Sequence, residues 1–195
     1  MIYTIFKNLF KIFLIITSRF QVSGHENIPT SGPVILAANH VSNWDPLLLG
    51  SAVKRQVHFI AKEELFRIPI VGLLLHAWGT FPVRRGRGDR EAIAKSLEIL
   101  KTEKVLGIFI EGGRNKGNPD EMRPQSGAAM LATHSGAPVV PVALINTDRL
   151  FKKMRVVIGK PLTFAVSEEV PKKELYQQIS QELVTAITRL KSEKA

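Results

Sequence analysis

Apolar residues along the chain fall into short runs broken by Pro, Gly and polar positions, and the two periods in those runs predict alternating elements. The first twenty residues, MIYTIFKNLFKIFLIITSRF, read as a helix, and Ile28 to Pro33 as a Pro/Gly turn. Val34 to Ala38 is a continuous apolar strand, followed by a short helix opening at Pro46 and a strand near Val57 to Ala61. An apolar helix from about Pro69 to Trp78 leads to a short strand at Thr80 to Val83. Ile93, Leu97 and Leu100 line one face of a helix over Asp89 to Glu103, with Asp89 as its N-cap. Val105 to Ile110 is a buried strand, Gly127 to Ser135 a helix, Val139 to Ile145 a strand and Val156 to Gly159 a last strand. Leu175, Ile179, Leu183, Ile187 and Leu190 stripe a closing helix that starts at Pro171. The alternation predicts an α/β fold with a mostly parallel central sheet flanked by helices. In such sheets, sites collect outside the carboxyl ends of the strands.

The N-terminal helix carries Lys7, Lys11 and Arg19, and its charge-free stretch runs only from Ile12 to Ser18. A transmembrane helix needs about 20 predominantly apolar residues, so this segment is too short to span. No small-x-small cleavage site follows, which disfavours a secretory signal. Two readings stay open. The helix lies in a membrane interface with its lysines reaching headgroups, the reading its composition favours, or it packs on the protein's own core. The first divides the chain into a membrane-associating amphipathic helix over 1–20 and a folded domain over 21–195.

A chain of 195 residues suffices for one domain, which at this size buries roughly 70% of the surface its unfolded form exposes. The 27 Lys+Arg against 17 Asp+Glu leave a formal charge of +10, which attracts polyanions: nucleic acid, anionic lipid, a phosphorylated substrate or an acidic carrier protein. With no cysteine, disulfides, thiolate metal sites and a cysteine nucleophile are excluded.

Chemistry therefore rests on other side chains. NHVSNWD places Asn39 and His40 at the end of the Val34 to Ala38 strand, one loop before Asp45 and Pro46. A histidine beside a carboxylate is what general-base catalysis on a hydroxyl requires, since the imidazole accepts the proton and the carboxylate sets its tautomer. The same Asp-Pro pair also reads as a helix start, with Asp45 as N-cap and Pro46 at N1. The other histidines are weaker candidates: His25 in a polar turn, His58 in a strand, His76 in an apolar helix and His134 on a helix. FPVRRGRGDR clusters Arg84, Arg85, Arg87 and Arg90 around two glycines after a strand, which suits a phosphate or a solvated basic turn. GIFIEGGRNKG puts Glu111, Gly112, Gly113 and Arg114 at a strand's carboxyl end, where backbone N–H groups can approach an anion or simply form a Gly-Gly turn. No dinucleotide fingerprint, Walker loop or G-x-S-x-G elbow is present. The run Ile68 to Leu75 is either the lining of an acyl tunnel or core.

These segments carry a family resemblance. NHVSNWD resembles the NHxxxxD signature of the glycerolipid acyltransferases, and FPVRRG, IEGGR and APVVPVAL resemble that family's later motifs in the same order. The similarity runs from about Gly24 to Leu144 and is closest in kind to the bacterial enzymes acting on 1-acyl-sn-glycerol 3-phosphate. The chain departs from the pattern at Ile110 for Pro, Gly113 for Thr, Asn115 for Ser and Arg84 for an acidic residue, which bears on acceptor preference rather than reaction class.

The resemblance implies His40 as base, Asp45 as its support, and Arg85, Glu111, Gly112, Arg114, Asn39 and Pro141 as the substrate-binding set. It implies an acyl group moved from acyl-CoA or acyl-carrier protein to a lysophosphatidic-acid-like acceptor, with no metal, no cofactor and no nucleic acid. The expected location is the cytoplasmic face of the cell membrane, peripheral or monotopic, on an anionic surface. Alternatives are the same chemistry on glycerol 3-phosphate, another lysophospholipid or a lyso-aminolipid, or a non-catalytic basic module binding nucleic acid or membrane.

Overall fold

The structure, a computed structural model, describes residues 2–83, 88–118, 121–149, 151–165 and 170–193. Its centre is β2 (Val34–Ala38), whose five residues are all buried. A strand covered on both faces has no solvent side to alternate toward, which is why its sequence is continuously apolar. Among the described residues the main sheet has the order β1-β8-β7-β2-β6-β3: β1 is Gln21–Ser23, β3 Val57–His58, β6 Val105–Phe109, β7 Val139–Ile145 and β8 Arg155–Ile158. All pairings are parallel except β7 with β8, which are joined without an intervening helix and so return antiparallel.

The alternation of β2 side chains splits the interior into two layers. Val34, Leu36 and Ala38 pack with Leu14 of α1 (Ile2–Ser18) and with Leu48 and Leu49 of α2 (Asp45–Ala52). Ile35 and Ala37 pack on the other side, with Ile99 and Leu100 of α5 (Gly88–Lys101), Ala128 and Leu131 of α6 (Gly127–Ser135), and Ile179, Leu183 and Ile187 of α7 (Lys172–Ser192). The i, i+4, i+8 spacing of the last three is the face α7 buries.

Several local expectations change. The stretch near Val57 to Ala61 is two strands: β3 pairs with β6, while β4 (Ile60–Lys62) pairs with β5 (Phe81–Val83) in a separate two-stranded sheet. Phe59 makes the break; its ring lies against Gly107 of β6, where a Cβ would collide with it. The short elements β1, the 3-10 turn His25–Asn27 and α3 (Glu63–Phe66) carry too few residues to show a period. Asp89 falls inside α5, one residue past its first position, rather than before it. Gly159 lies just beyond β8, where its N–H donates to Pro141.

The two apolar helices both leave large apolar side chains exposed. In α4 (Pro69–Ala77) the only buried residue is Gly72, while Ile70 is 75% and Leu73 71% exposed, so Ile68 to Leu75 is neither core nor an enclosed tunnel. In α1, Leu14 is fully buried, Phe10 stacks on Trp44 at 5.9 Å and Tyr3 meets Trp78 edge-on at 5.3 Å, whereas Leu9, Ile12 and Ile16 face outward. The ammonium of Lys7 turns back to donate to the carbonyls of Val53 and Lys54, at 3.1 and 3.0 Å, instead of reaching outward. Desolvation and the neighbouring Lys11 charge hold it below the ordinary lysine value. No described helix is long and apolar enough to cross a membrane.

Candidate active site

The loop from Asn39 to Trp44 leaves the carboxyl end of β2 and closes on the first residue of α2. Asp45 Oδ2 accepts three hydrogen bonds there, each of 2.8 Å: from the N–H of Val41, the N–H of Ser42 and Nδ1 of His40. The two backbone groups can only donate, so the oxygen acts as an acceptor and Nδ1 completes its shell as an N–H. That tautomer leaves Nε2 with its lone pair, and Nε2 makes no hydrogen bond to a described residue. The Asp45 side chain is fully buried while that of His40 stays 14% exposed, so the carboxylate is sheltered and the base reachable. Asp45 does not cap the helix it opens: its carboxylate is turned back onto the loop.

Three further contacts hold His40, one at its ring and two at its backbone. Its ring stacks on Phe109 with centroids 3.9 Å apart and planes 16° off parallel. The N–H of His40 donates to Glu111 Oε2 at 2.9 Å, and its carbonyl accepts the N–H of Asn115 at 2.7 Å. All three partners follow from the parallel β2–β6 register, which sets Ala38 beside Phe109 and brings the chain beyond β6 next to the chain beyond β2. Phe109 and Asn115 were not among the expected site residues. Their signal, the position two to eight residues past the middle of the neighbouring strand, exists only once the pairing is known.

The remaining candidates separate. Asn39 is buried, its Nδ2 donating to the carbonyl of Leu144 at 3.0 Å and its Oδ1 accepting the N–H of Leu144 at 2.8 Å. With its amide donating to and accepting from β7, it ties the loop to the sheet. Pro141 is likewise buried within β7, beside Ala37, and its carbonyl accepts from Gly159. It is a packing residue. Glu111 is committed through Oε2 to His40, which makes it a positioning group before any contact with a glycerol. Gly112 adopts φ 66°, the left-handed region that glycine enters without strain, and its N–H closes a turn onto Phe109. Arg114 is exposed, lines an open groove beside the His40 loop and has no hydrogen-bond or ion-pair partner among the described residues. Arg85, with Arg84 and Arg87, lies outside the described residues. Of the other histidines, His25 pairs with Glu26 on the open surface and His58 bonds the carbonyl of Gly79. No group of three or more His, Cys, Asp or Glu among the described residues is placed to hold a metal.

The chain is 31% identical over 192 residues to the 1-acyl-sn-glycerol-3-phosphate acyltransferase of Bacillus subtilis (strain 168), covering 95% of this chain and 94% of that one. It is 36% identical over 135 residues to the protein of the same name from Borreliella burgdorferi, of which it spans 53%. The crystal structure of the 1-acyl-sn-glycerophosphate (LPA) acyltransferase, PlsC, from Thermotoga maritima superposes with a TM-score of 0.66 at 28% identity, covering 93% of this chain and 78% of that one. The family model described as Acyltransferase matches residues 19–145, which runs from the end of α1 through β7 and includes the whole His40–Asp45 loop and the chain that braces it. With a match over that span and a relative aligned almost end to end, the chain belongs to the Acyltransferase family.

Proposed function

We propose that the protein transfers a fatty acyl group from an acyl thioester, acyl-CoA or acyl-carrier protein, to the sn-2 hydroxyl of 1-acyl-glycerol 3-phosphate, giving phosphatidic acid. The observation that carries this reading is the 2.8 Å bond from His40 Nδ1 to the buried Asp45 carboxylate, with Nε2 left free at the sheet's carboxyl edge. Nε2 takes the proton of the acceptor hydroxyl as its oxygen attacks the thioester carbonyl. The tetrahedral intermediate collapses by breaking the C–S bond, and the leaving thiolate recovers the proton from the imidazolium that Asp45 stabilises. The products are an ester and a free thiol, with no acyl-enzyme and no metal in the sequence of steps.

Arg114 takes the acceptor's phosphate, because it is one residue from Asn115, which is bonded to His40, and its guanidinium is uncommitted. The family resemblance gives Arg85 the same task. The outward apolar residues, Leu9, Ile12 and Ile16 of α1 and Ile70 and Leu73 of α4, are the surface laid on an anionic bilayer at its cytoplasmic side. The relatives named as 1-acyl-sn-glycerol-3-phosphate acyltransferases support the choice of acceptor.

The test is direct. Purified protein is given vesicles containing lysophosphatidic acid plus palmitoyl-CoA or palmitoyl-acyl-carrier protein, and phosphatidic acid is read by mass spectrometry. Formation that depends on both substrates is expected. Acylation of glycerol 3-phosphate or another lysophospholipid in its place would reassign the acceptor, and no acyl transfer to any would overturn the reading.

A further inference from the structure

Four helical hydroxyls of this fold, on Ser96, Thr133, Ser135 and Thr185, turn back on the carbonyl four residues earlier, at 2.7 to 3.0 Å. Ser180 of α7 does not. Its residue is only 7% exposed, its hydroxyl has no hydrogen-bond partner among the described residues, and it lines an open cavity of about 740 Å3 between α7 and the start of α6. Lys173, in the first turn of α7, lines the same cavity and is also without a hydrogen-bond or ion-pair partner among the described residues. No Asp or Glu lines it. Ser126, which precedes α6 and forms part of the wall, makes no capping bond with its side chain. The N–H groups of Gly127, Ala128 and Ala129 that follow it have no acceptor among the described residues, although both alanines are buried. An uncapped helix start is a set of free donors carrying partial positive charge, and it favours an anion.

We infer that this cavity binds a phosphoryl group of a water-soluble ligand, with Lys173, the Ser180 hydroxyl and the first N–H groups of α6 as its donors. A cation, a hydroxyl and several backbone N–H groups at one cavity suit a group with three terminal oxygens better than a carboxylate with two. The site is not the groove that holds Arg114: the two concavities share Gln125 and no other lining residue. It also lies away from the apolar surface of α1. The helices α6 and α7 pack with Ile35 and Ala37, on the face of β2 opposite the one that meets Leu14, which favours a soluble ligand over one embedded in a bilayer. Two sources supply such a group: a free phosphorylated metabolite or, in the acyl-transfer reading, the nucleotide end of acyl-CoA. The cavity has the volume of a small-molecule site, with the Tyr176 ring and the Gln177 amide in its wall beside the donors.

The test is calorimetric binding of inorganic phosphate and of adenosine 3′,5′-bisphosphate to the full chain carrying Arg114→Ala, which removes the neighbouring phosphate ligand from the reading. That protein should still bind at least one of the two probes. Adding Lys173→Ala and Ser180→Ala should weaken the binding about tenfold or more, the worth of one or two charge-assisted hydrogen bonds. Lys173→Ala alone, at an exposed position, should weaken it in the same direction without touching the core. Affinity unchanged by these substitutions, or no binding of either probe, overturns the site. Neither measurement needs turnover, so the outcome is independent of which acceptor the enzyme acylates. The ligand-free melting temperature of Ser180→Ala should be level or higher, because a hydroxyl without a partner is removed from a nearly buried helical position; a fall would assign that hydroxyl to the fold and overturn its role as a donor. Two further arms name the source. The nucleotide of acyl-CoA predicts tighter binding of the bisphosphate, and a KM for palmitoyl-CoA that rises in Lys173→Ala/Ser180→Ala while KM for palmitoyl-acyl-carrier protein holds. A free phosphorylated ligand predicts weakened phosphate binding with both donor KM values unchanged.

Discussion

His40 is restrained at its ring face by Phe109, at Nδ1 by Asp45, at its N–H by Glu111 and at its carbonyl by Asn115, which leaves Nε2 as the ring's uncommitted polar atom. His40→Ala removes that atom and should lower kcat by about 10²–10⁴-fold. Far-UV circular dichroism should be unchanged, since the position is partly open; retention of more than about a tenth of the rate would sink the general-base role. Asp45→Asn keeps an acceptor oxygen for Val41 and Ser42 but removes the charge that supports the imidazolium. Here kcat should fall while both KM values hold, and the fold should survive. Glu111 offers a test of positioning: Glu111→Ala strips the acceptor from the His40 N–H and should reduce kcat more than KM, and Glu111→Gln, which keeps an oxygen there, should recover most of the loss. A Gln variant as poor as Ala would mean that the charge, not the hydrogen bond, matters. Elsewhere, burial pushes His58 below the ordinary imidazole value, with the Lys104 charge acting the same way and the Gly79 carbonyl against both. The unfolded chain therefore binds a proton more readily than the fold does. Stability should be lost as pH falls below about 6.5 and be level above it, and His58→Gln should flatten that slope in melting curves between pH 5 and 7.

At the scale of the element, α1 serves two surfaces at once. Its inner face carries Leu14, with Phe10 and Tyr3 against Trp44 and Trp78, so deletion of residues 1–19 uncovers two tryptophans and should destabilise the domain. Leu14→Ala alone should cost about 2–5 kcal/mol, read from chemical denaturation. The outer face can be changed without touching that packing. Leu9, Ile12 and Ile16 to Ser on α1, or Ile70 and Leu73 to Ser on α4, should leave the melting temperature near that of the natural protein. Each set should release it from anionic vesicles and cut activity on bilayer-embedded acceptor more than on a short-chain, soluble one. Vesicle flotation that is indifferent to both sets would move the membrane contact elsewhere.

Across the whole molecule, the +10 charge and the apolar face predict membrane binding with two components. Raising salt should screen the first and leave the second, so flotation should weaken but persist at high ionic strength. Complete release by salt would make the contact purely electrostatic. The division between local and long-range information runs through the same features. The sequence by itself determined the alternating α/β plan, because a buried parallel strand needs a continuous apolar run and a packed helix needs a stripe. It also determined the His40–Asp45 pair, because one loop of five positions suffices to close that hydrogen bond. Only the tertiary structure decided that Phe109, Glu111 and Asn115 brace His40, since those contacts exist through the register of β2 on β6, about seventy residues apart in sequence. The same holds for Asn39 and Pro141, whose motif positions suggested binding and whose burial in and against the sheet only the fold decides. It holds also for α4, whose apolar residues would read alike in a core, a tunnel or an exposed face. Apolar composition records that a surface avoids water, and only packing records what covers it.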